Sequence, residues 1–304
     1  MRALLPSSRW FRRFRSRMTR KGTSSAAGLL GLSFLLASAC GTRVDGEGEI
    51  RREQDGRGAP SLTPSPLEPS QAGGTECPAG MTLVQGSYCP EVEHTCLKWL
   101  DPPGSPYAQF RCAKYQAPAK CKGARKPMRY CIDIHERREP GSALPAHFVS
   151  FNDASKACER DGARICKESE WEFACEGEEM RPYPYGWERN GALCNAERTT
   201  DLGRIGQLVD HRAVSGSYPG CKSPFGVYDQ AGNVEEWVKP DAPKMGFNQV
   251  MKGSWWIPSR HACRSFQVGH GPEYGGGESG YRCCKDAADA LASHSSRDGD
   301  TRRE

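Results

Sequence analysis

Fifteen cysteines in 304 residues constrain this chain more than any other feature. Cys40 ends an apolar run and stands apart; the other fourteen lie between Cys77 and Cys284. An even set in an exported chain reads as a disulfide framework, which can hold a loop-rich fold together. Buried free thiols or a metal cluster are the alternatives. No C-x-x-C pair occurs, which argues against a zinc ribbon.

Export itself is read from residues 1–39. Eight basic residues and no acidic ones precede Cys40, and an apolar run follows from Ala26 to Ala37. That run is too short for a permanent membrane span and fits a targeting segment. It ends in Leu36-Ala37-Ser38-Ala39-Cys40, small residues before a cysteine, as in a lipoprotein signal. The expectation is that Cys40 is diacylated and becomes the mature N-terminus; an ordinary secretory signal cleaved nearby is the alternative. Met18 is a plausible second start. Gly41, where an Asp would favour retention, points to the outer membrane of a bacterial envelope.

Charge follows from this reading. The formal charge is +5, but the basic excess sits in the targeting segment, so the remainder is net acidic. Nucleic acid is not an expected partner. Residues 40–75, rich in Gly, Pro, Ser and charge, are read as the lipidated cysteine and its flexible tether. Residues 76–286 form one domain, and 287–304 a disordered tail.

Within the domain, strongly periodic segments are few. Ser150-Phe151-Asn152-Asp153 predicts a capping box, with the Ser150 hydroxyl and Asp153 carboxylate both facing free backbone amides. A helix runs on to about Arg160 and stops at Asp161-Gly162. A second spans Lys167 to Glu176, with Trp171, Ala174 and Cys175 on one face and Gly177 at its end. Short strands and long loops account for the rest.

Four blocks recur in fixed order: Val149-Ser150-Phe151-Asn152-Asp153-Ala154; Gly162 to Cys175; Phe225 to Trp237, including Gly232-Asn233-Val234-Glu235-Glu236-Trp237; and Gly253-Ser254-Trp255-Trp256 followed by Gly280-Tyr281-Arg282-Cys283. In this order they resemble the formylglycine-generating-enzyme, or sulfatase-modifying-factor, family over roughly residues 77–286. The resemblance implies an α+β, C-type-lectin-like single domain, low in regular structure. It also implies disulfides Cys158–Cys283 and Cys175–Cys263. Cys194 and Cys221 flank one long loop and are a reasonable pair. Cys77, Cys89, Cys96, Cys112, Cys121 and Cys131 crowd the N-terminal third. Cys166 and Cys284 remain, and either could pair with that set; sequence alone leaves the connectivity open.

Calcium is implied too. Asn233 and Glu236 are hard oxygen ligands beside a Gly turn, and the resemblance makes Asn233, the Val234 carbonyl and Glu236 a calcium site. A second would use Asn195, the Ala196 carbonyl and either Asp210 or Asp201. The alternative is that these side chains make only turn hydrogen bonds.

The family's chemistry is not expected. Formylglycine-generating enzymes use two cysteines after the Gly-Ser of the last block to hold copper, for which thiolates are suited. From Ser254 to Ala262 there is no cysteine; Ile257 and Pro258 stand where the pair would be. Copper is therefore not an expected cofactor. An iron site on His261, His270 and Glu273 is conceivable, two His and one carboxylate being a facial-triad set. Trp255, Trp256, Arg260, Arg264 and Tyr274 would surround the pocket. The alternative is a loop held by hydrogen bonds with the tryptophans in the core. The reading adopted is a lipid-anchored module binding a peptide, glycan or small ligand. A nonheme-iron oxidoreductase and a purely structural envelope lipoprotein are the alternatives.

Overall fold

Fourteen short elements are threaded on long loops in the computed structural model, which describes residues 76–105, 108–198 and 209–288. The targeting segment 1–39, the Cys40 anchor with tether 40–75, Asp201 and nearly all of the tail lie outside the described residues. In chain order the strands are β1 (Met81–Tyr88), β2 (Val92–Glu93), β3 (Cys96–Trp99), β4 (Cys112–Tyr115), β5 (Lys120–Cys121) and β6 (Lys126–Asp133). Helix α1 (Phe151–Arg160), β7 (Arg164–Ile165) and helix α2 (Glu168–Glu176) follow. The C-terminal part adds β8 (Glu235–Val238), β9 (Val250–Lys252), β10 (Phe266–Gln267), β11 (Ser279–Tyr281) and β12 (Cys283–Asp286). Mostly strands with two helices, this is the α+β arrangement expected. Among the described residues no helix is long and apolar enough to cross a membrane.

Two four-stranded sheets carry the domain, ordered β1-β6-β12-β7 and β10-β9-β8-β11. β8 and β11 run parallel, with Glu235 opposite Ser279. Both sheets meet α2 in one apolar cluster: Val84 and Ile132 from the first, Val238 and Val250 from the second, and Trp171, Phe173 and Ala174 from the helix. α1 joins a second cluster through Ala154 and Cys158, against Trp237 and Met251.

The helix ends follow local chemistry. Ser150 Oγ accepts from Asp153 N at 3.1 Å, capping α1. The Asp153 carboxylate, expected to face a backbone amide, instead accepts the Ser150 hydroxyl at 2.7 Å. The hydroxyl lies between helix and carboxylate, so one side chain satisfies the other. α2 begins at Glu168, where Glu170 Oε2 accepts from Lys167 N at 2.8 Å. It ends at Gly177, whose φ of 67° only glycine adopts without strain.

Seven disulfides use all fourteen cysteines of the described residues. The structure joins Cys158 to Cys283, Cys175 to Cys263 and Cys194 to Cys221. The N-terminal six pair among themselves as Cys77–Cys131, Cys89–Cys121 and Cys96–Cys112. Cys166 and Cys284, whose partners the sequence left open, bond to each other. The cause is register: β12 pairs antiparallel with β7, setting Cys284 opposite Arg164, two residues before Cys166. Such a framework belongs to an oxidising compartment.

Candidate ligand cleft

The turn before β8 is wound tightly. Asp229 and Asn233 adopt φ of 61° and 62°, and Gly232 sits so close to Asn195 that a Cβ would strike its backbone oxygen. This approach lets Asn233 N donate to Asn195 O at 2.8 Å. Asn233 Oδ1 accepts from Ala213 N at 2.8 Å and Asn195 Nδ2 at 3.0 Å. Its Nδ2 donates to Glu136 Oε2 at 2.7 Å.

Glu236 is spoken for as well. Arg282, wholly buried, grips both carboxylate oxygens at 2.6 Å, and Trp171 Nε1 donates to Oε2 at 2.6 Å. Glu136 faces the same guanidinium; burial, with Asp229 and Glu236 beside it, pushes its carboxyl well above the ordinary range. Burial likewise raises Asp229 to about 6.

These residues do not fit the calcium cages that the sequence suggested. The lone pairs of Asn233 and Glu236 point at N–H donors, and Arg282 supplies the positive charge. In the second set, Asn195 O is taken by Asn233, and Asn195 Oδ1 accepts from Arg198 Nε at 3.2 Å. Asp210 forks onto Arg212 at 2.8 and 3.0 Å at the surface. Val234 N bonds Glu136, and Ala196 is packed in an apolar cluster. The side chains of Asn195, Asn233, Glu236 and Asp210 are thus taken up by N–H donors.

The iron set does not converge either. His261 is buried, with Nδ1 2.9 Å from Arg189 Nη2 and Nε2 2.9 Å from Trp255 O. Burial, with Arg189 alongside, brings it down to about 3, so it stays neutral with both nitrogens used. His270 stacks on Tyr274, ring centroids 3.8 Å apart. Glu273 accepts from Asn152 Nδ2 at the start of α1. Among the described residues no three His, Cys, Asp or Glu side chains are grouped to hold a metal. Sequence proximity had drawn His270 and Glu273 together; His270 instead meets Gln267 and Tyr274, and Glu273 meets Asn152.

A cleft of about 640 Å³ opens beside β8, β9 and β10. Of the residues expected around a pocket, Arg260 and Arg264 line it. Arg260 lies over the Phe110 ring at 4.7 Å. Arg264 is pinned by Glu176 at 2.6 and 2.8 Å. Trp256 is buried edge-on against Trp255, the core role weighed as the alternative, and neither tryptophan is in the cleft wall. Tyr274 stands behind the wall, donating to Glu278 Oε1 at 2.6 Å.

Sequence reasoning missed the cleft's most unusual group, Glu235. Neighbours on a strand point to opposite faces, so Glu236 meets Arg282 while Glu235 lines the cleft, 4% exposed. With the Gln267 amide oriented to satisfy both neighbours, its NH2 donates to Glu235 at 3.1 and 3.2 Å, and its carbonyl accepts from His270 Nε2 at 3.0 Å. Burial, with Glu278 nearby, raises Glu235 to about 8 despite the opposing pull of Arg260. Ser254 shares the cleft, at a φ of 58°, and its buried hydroxyl finds no hydrogen-bond partner. The available signal was the doubled glutamate at the head of β8.

The family model described as "Sulfatase-modifying factor enzyme 1-like domain" matches residues 96–287. The chain is 28% identical over 183 residues to the formylglycine-generating enzyme of Thermomonospora curvata, covering 48% of this chain and 59% of that protein. It is 29% identical over 162 residues to the inactive C-alpha-formylglycine-generating enzyme 2 of Mus musculus, covering 47% and 50%. Its matched segment thus spans roughly half of each relative's length. The crystal structure of CarF aligns with a TM-score of 0.46 at 14% identity, over 69% of this chain and 99% of that one.

Proposed function

Because the chain belongs to the sulfatase-modifying factor enzyme 1-like family, we propose that it is an exported, lipid-anchored binding module. On this reading it keeps the family's fold and cleft but not its thiol chemistry. One observation carries the reading: all fourteen cysteines of the described residues are locked in disulfides. None is left as a thiolate for copper or for a covalent intermediate. The cleft is of a size that suits a small molecule or a few residues of a peptide, and its wall mixes Phe110, Met245 and Phe266 with Glu235, Ser254 and Arg260. A relative whose own name calls it inactive is compatible with this. The iron-oxidoreductase reading gains no support from His261, His270 and Glu273, each of which has another partner.

The test uses full-length protein extracted from membranes. Supplied with Cu(I), oxygen and a cysteine-containing peptide, it should consume no more oxygen than a protein-free control and form no trappable aldehyde. Intact mass of the same material should show a diacylglyceryl adduct at Cys40. Catalytic aldehyde formation would sink the binding-module reading, and an unmodified Cys40 would remove the anchor.

A further inference from the structure

We infer that the cleft recognises a ligand through a primary ammonium group, received by Glu235 and the Ser254 hydroxyl. This deepens the binding-module reading and rests on it.

The argument starts from a charge imbalance. Glu235 and Glu278 are neighbours: Glu235 N donates to Glu278 O at 2.7 Å as β8 pairs with β11. Both are at least nine-tenths buried. Several other buried acids are matched by cations, as Glu236 is by Arg282, Glu172 by Lys252 and Glu176 by Arg264; Glu136 and Asp229, which bond to neutral groups, lie outside the cleft. Glu235 and Glu278 have neutral partners, Gln267 and Tyr274. Gly276 keeps this arrangement open, since a Cβ there would collide with the Tyr274 hydroxyl and the Glu278 carboxylate. A buried carboxyl pair without a cation favours protonation or the arrival of positive charge.

Ser254 is the independent second sign. Its hydroxyl is buried without a partner in the same cleft, and such a group costs stability unless a ligand satisfies it. A carboxylate and a hydroxyl are acceptors that match an ammonium's donors. Phe110, Met245 and Phe266 offer apolar wall for the carbon chain behind it. A divalent metal is disfavoured: among the described residues no third His, Cys, Asp or Glu is grouped with Glu235 and Glu278 to hold one. The charged and titratable groups around Glu235 are Glu278 before β11, Arg260 after β9, His270 through Gln267 of β10, and Tyr274 through Glu278.

Binding then moves a proton. Glu235, at about 8, holds its proton at neutral pH in the empty cleft. When the ammonium arrives the carboxyl proton leaves to solvent, and carboxylate pairs with ammonium. The affinity therefore rises about tenfold per pH unit between pH 6 and 7.

Titration calorimetry on the full chain, in two buffers of different ionisation enthalpy, reads both affinity and proton release. The probes are N-acetyl-lysine methylamide for a side-chain ammonium, alanine amide for an α-ammonium, acetate as an anionic probe, and calcium chloride. One or both amines should bind with release of about one proton, and the stronger tells lysine side chain from chain terminus. Glu235→Gln should weaken amine binding about tenfold or more and abolish proton release. Glu278→Gln should reduce the protons released at pH 6.5, a shift that a merely structural role would not produce. Both variants are checked for seven disulfides by mass. Unchanged amine binding in Glu235→Gln, amine binding without proton release, or calcium binding that depends on Glu235 would each overturn the inference. Acetate alone binding in the cleft would overturn it while leaving the binding-module reading intact. No probe binding, together with an empty screen of neutral ligands at the cleft, would sink both.

Discussion

Two adjacent glutamates show how far single residues could be read. Glu236 was singled out from its place after Gly232-Asn233, as a cation ligand; it does meet positive charge, but from Arg282. Sequence could not anticipate that, because Arg282 comes from 46 positions away. Glu235 was passed over, since nothing local says which of two neighbouring acids faces a cleft. Its environment has a consequence for stability. An acid raised from about 4.5 to about 8 on folding binds more protons in the folded than the unfolded state. Its penalty is absent below the unfolded value, grows as pH rises from about 4.5, and is complete above about 8. Glu235→Gln should therefore melt near wild type at pH 5 and above it at pH 9. Thermal melts at both values check this; an equal offset at the two would mean Glu235 does not titrate between them.

The helices were legible at their ends and illegible in their surroundings. Ser150, Gly162 and Gly177 act through nearest neighbours, so sequence placed α1 and α2 within a residue of where they lie. It read α2 as having one apolar face, yet the helix is buried all round, glutamates included. Burial is tolerated because cations from outside the helix meet each acid: Arg164 of the preceding β7 for Glu170, and from distant segments Lys244 for Glu168, Lys252 for Glu172 and Arg264 for Glu176. Lys252 is wholly buried and 2.7 Å from Glu172. Replacing it with Met keeps the volume and leaves Glu172 only the Tyr88 hydroxyl and the more distant Arg264 at 3.5 Å, which should cost up to about 3–5 kcal/mol. Adding Glu172→Gln should recover much of that loss. Urea unfolding of the single and double variants decides it; a single-variant cost below about 1 kcal/mol would mean that the ion pair contributes little.

The order of four sequence blocks carried the domain's architecture, because it fixes which elements exist and in what sequence they pack. Through the resemblance it carried two of the bonds, Cys158–Cys283 and Cys175–Cys263, but not the full connectivity, which depends on strand register. Cys283 and Cys284 stand side by side in β12 and reach back to Cys158 and Cys166, closing loops of 125 and 118 residues. With Cys175–Cys263 in place, either bond alone closes a ring of only about 30–40 residues and restrains the unfolded chain by about 4 kcal/mol on a chain-entropy argument. The two are not independent. Once Cys158–Cys283 is formed, Cys166–Cys284 closes a ring of only about ten residues, adding about 3 kcal/mol. The same holds with the roles reversed. Removing either pair as Cys→Ala should therefore cost about 3 kcal/mol, and removing both about 6–7 kcal/mol, more than the sum of the separate losses. Guanidinium unfolding of the three variants measures the excess. Strict additivity would mean that each bridge acts through strain or packing in the folded state rather than by restraining one shared loop.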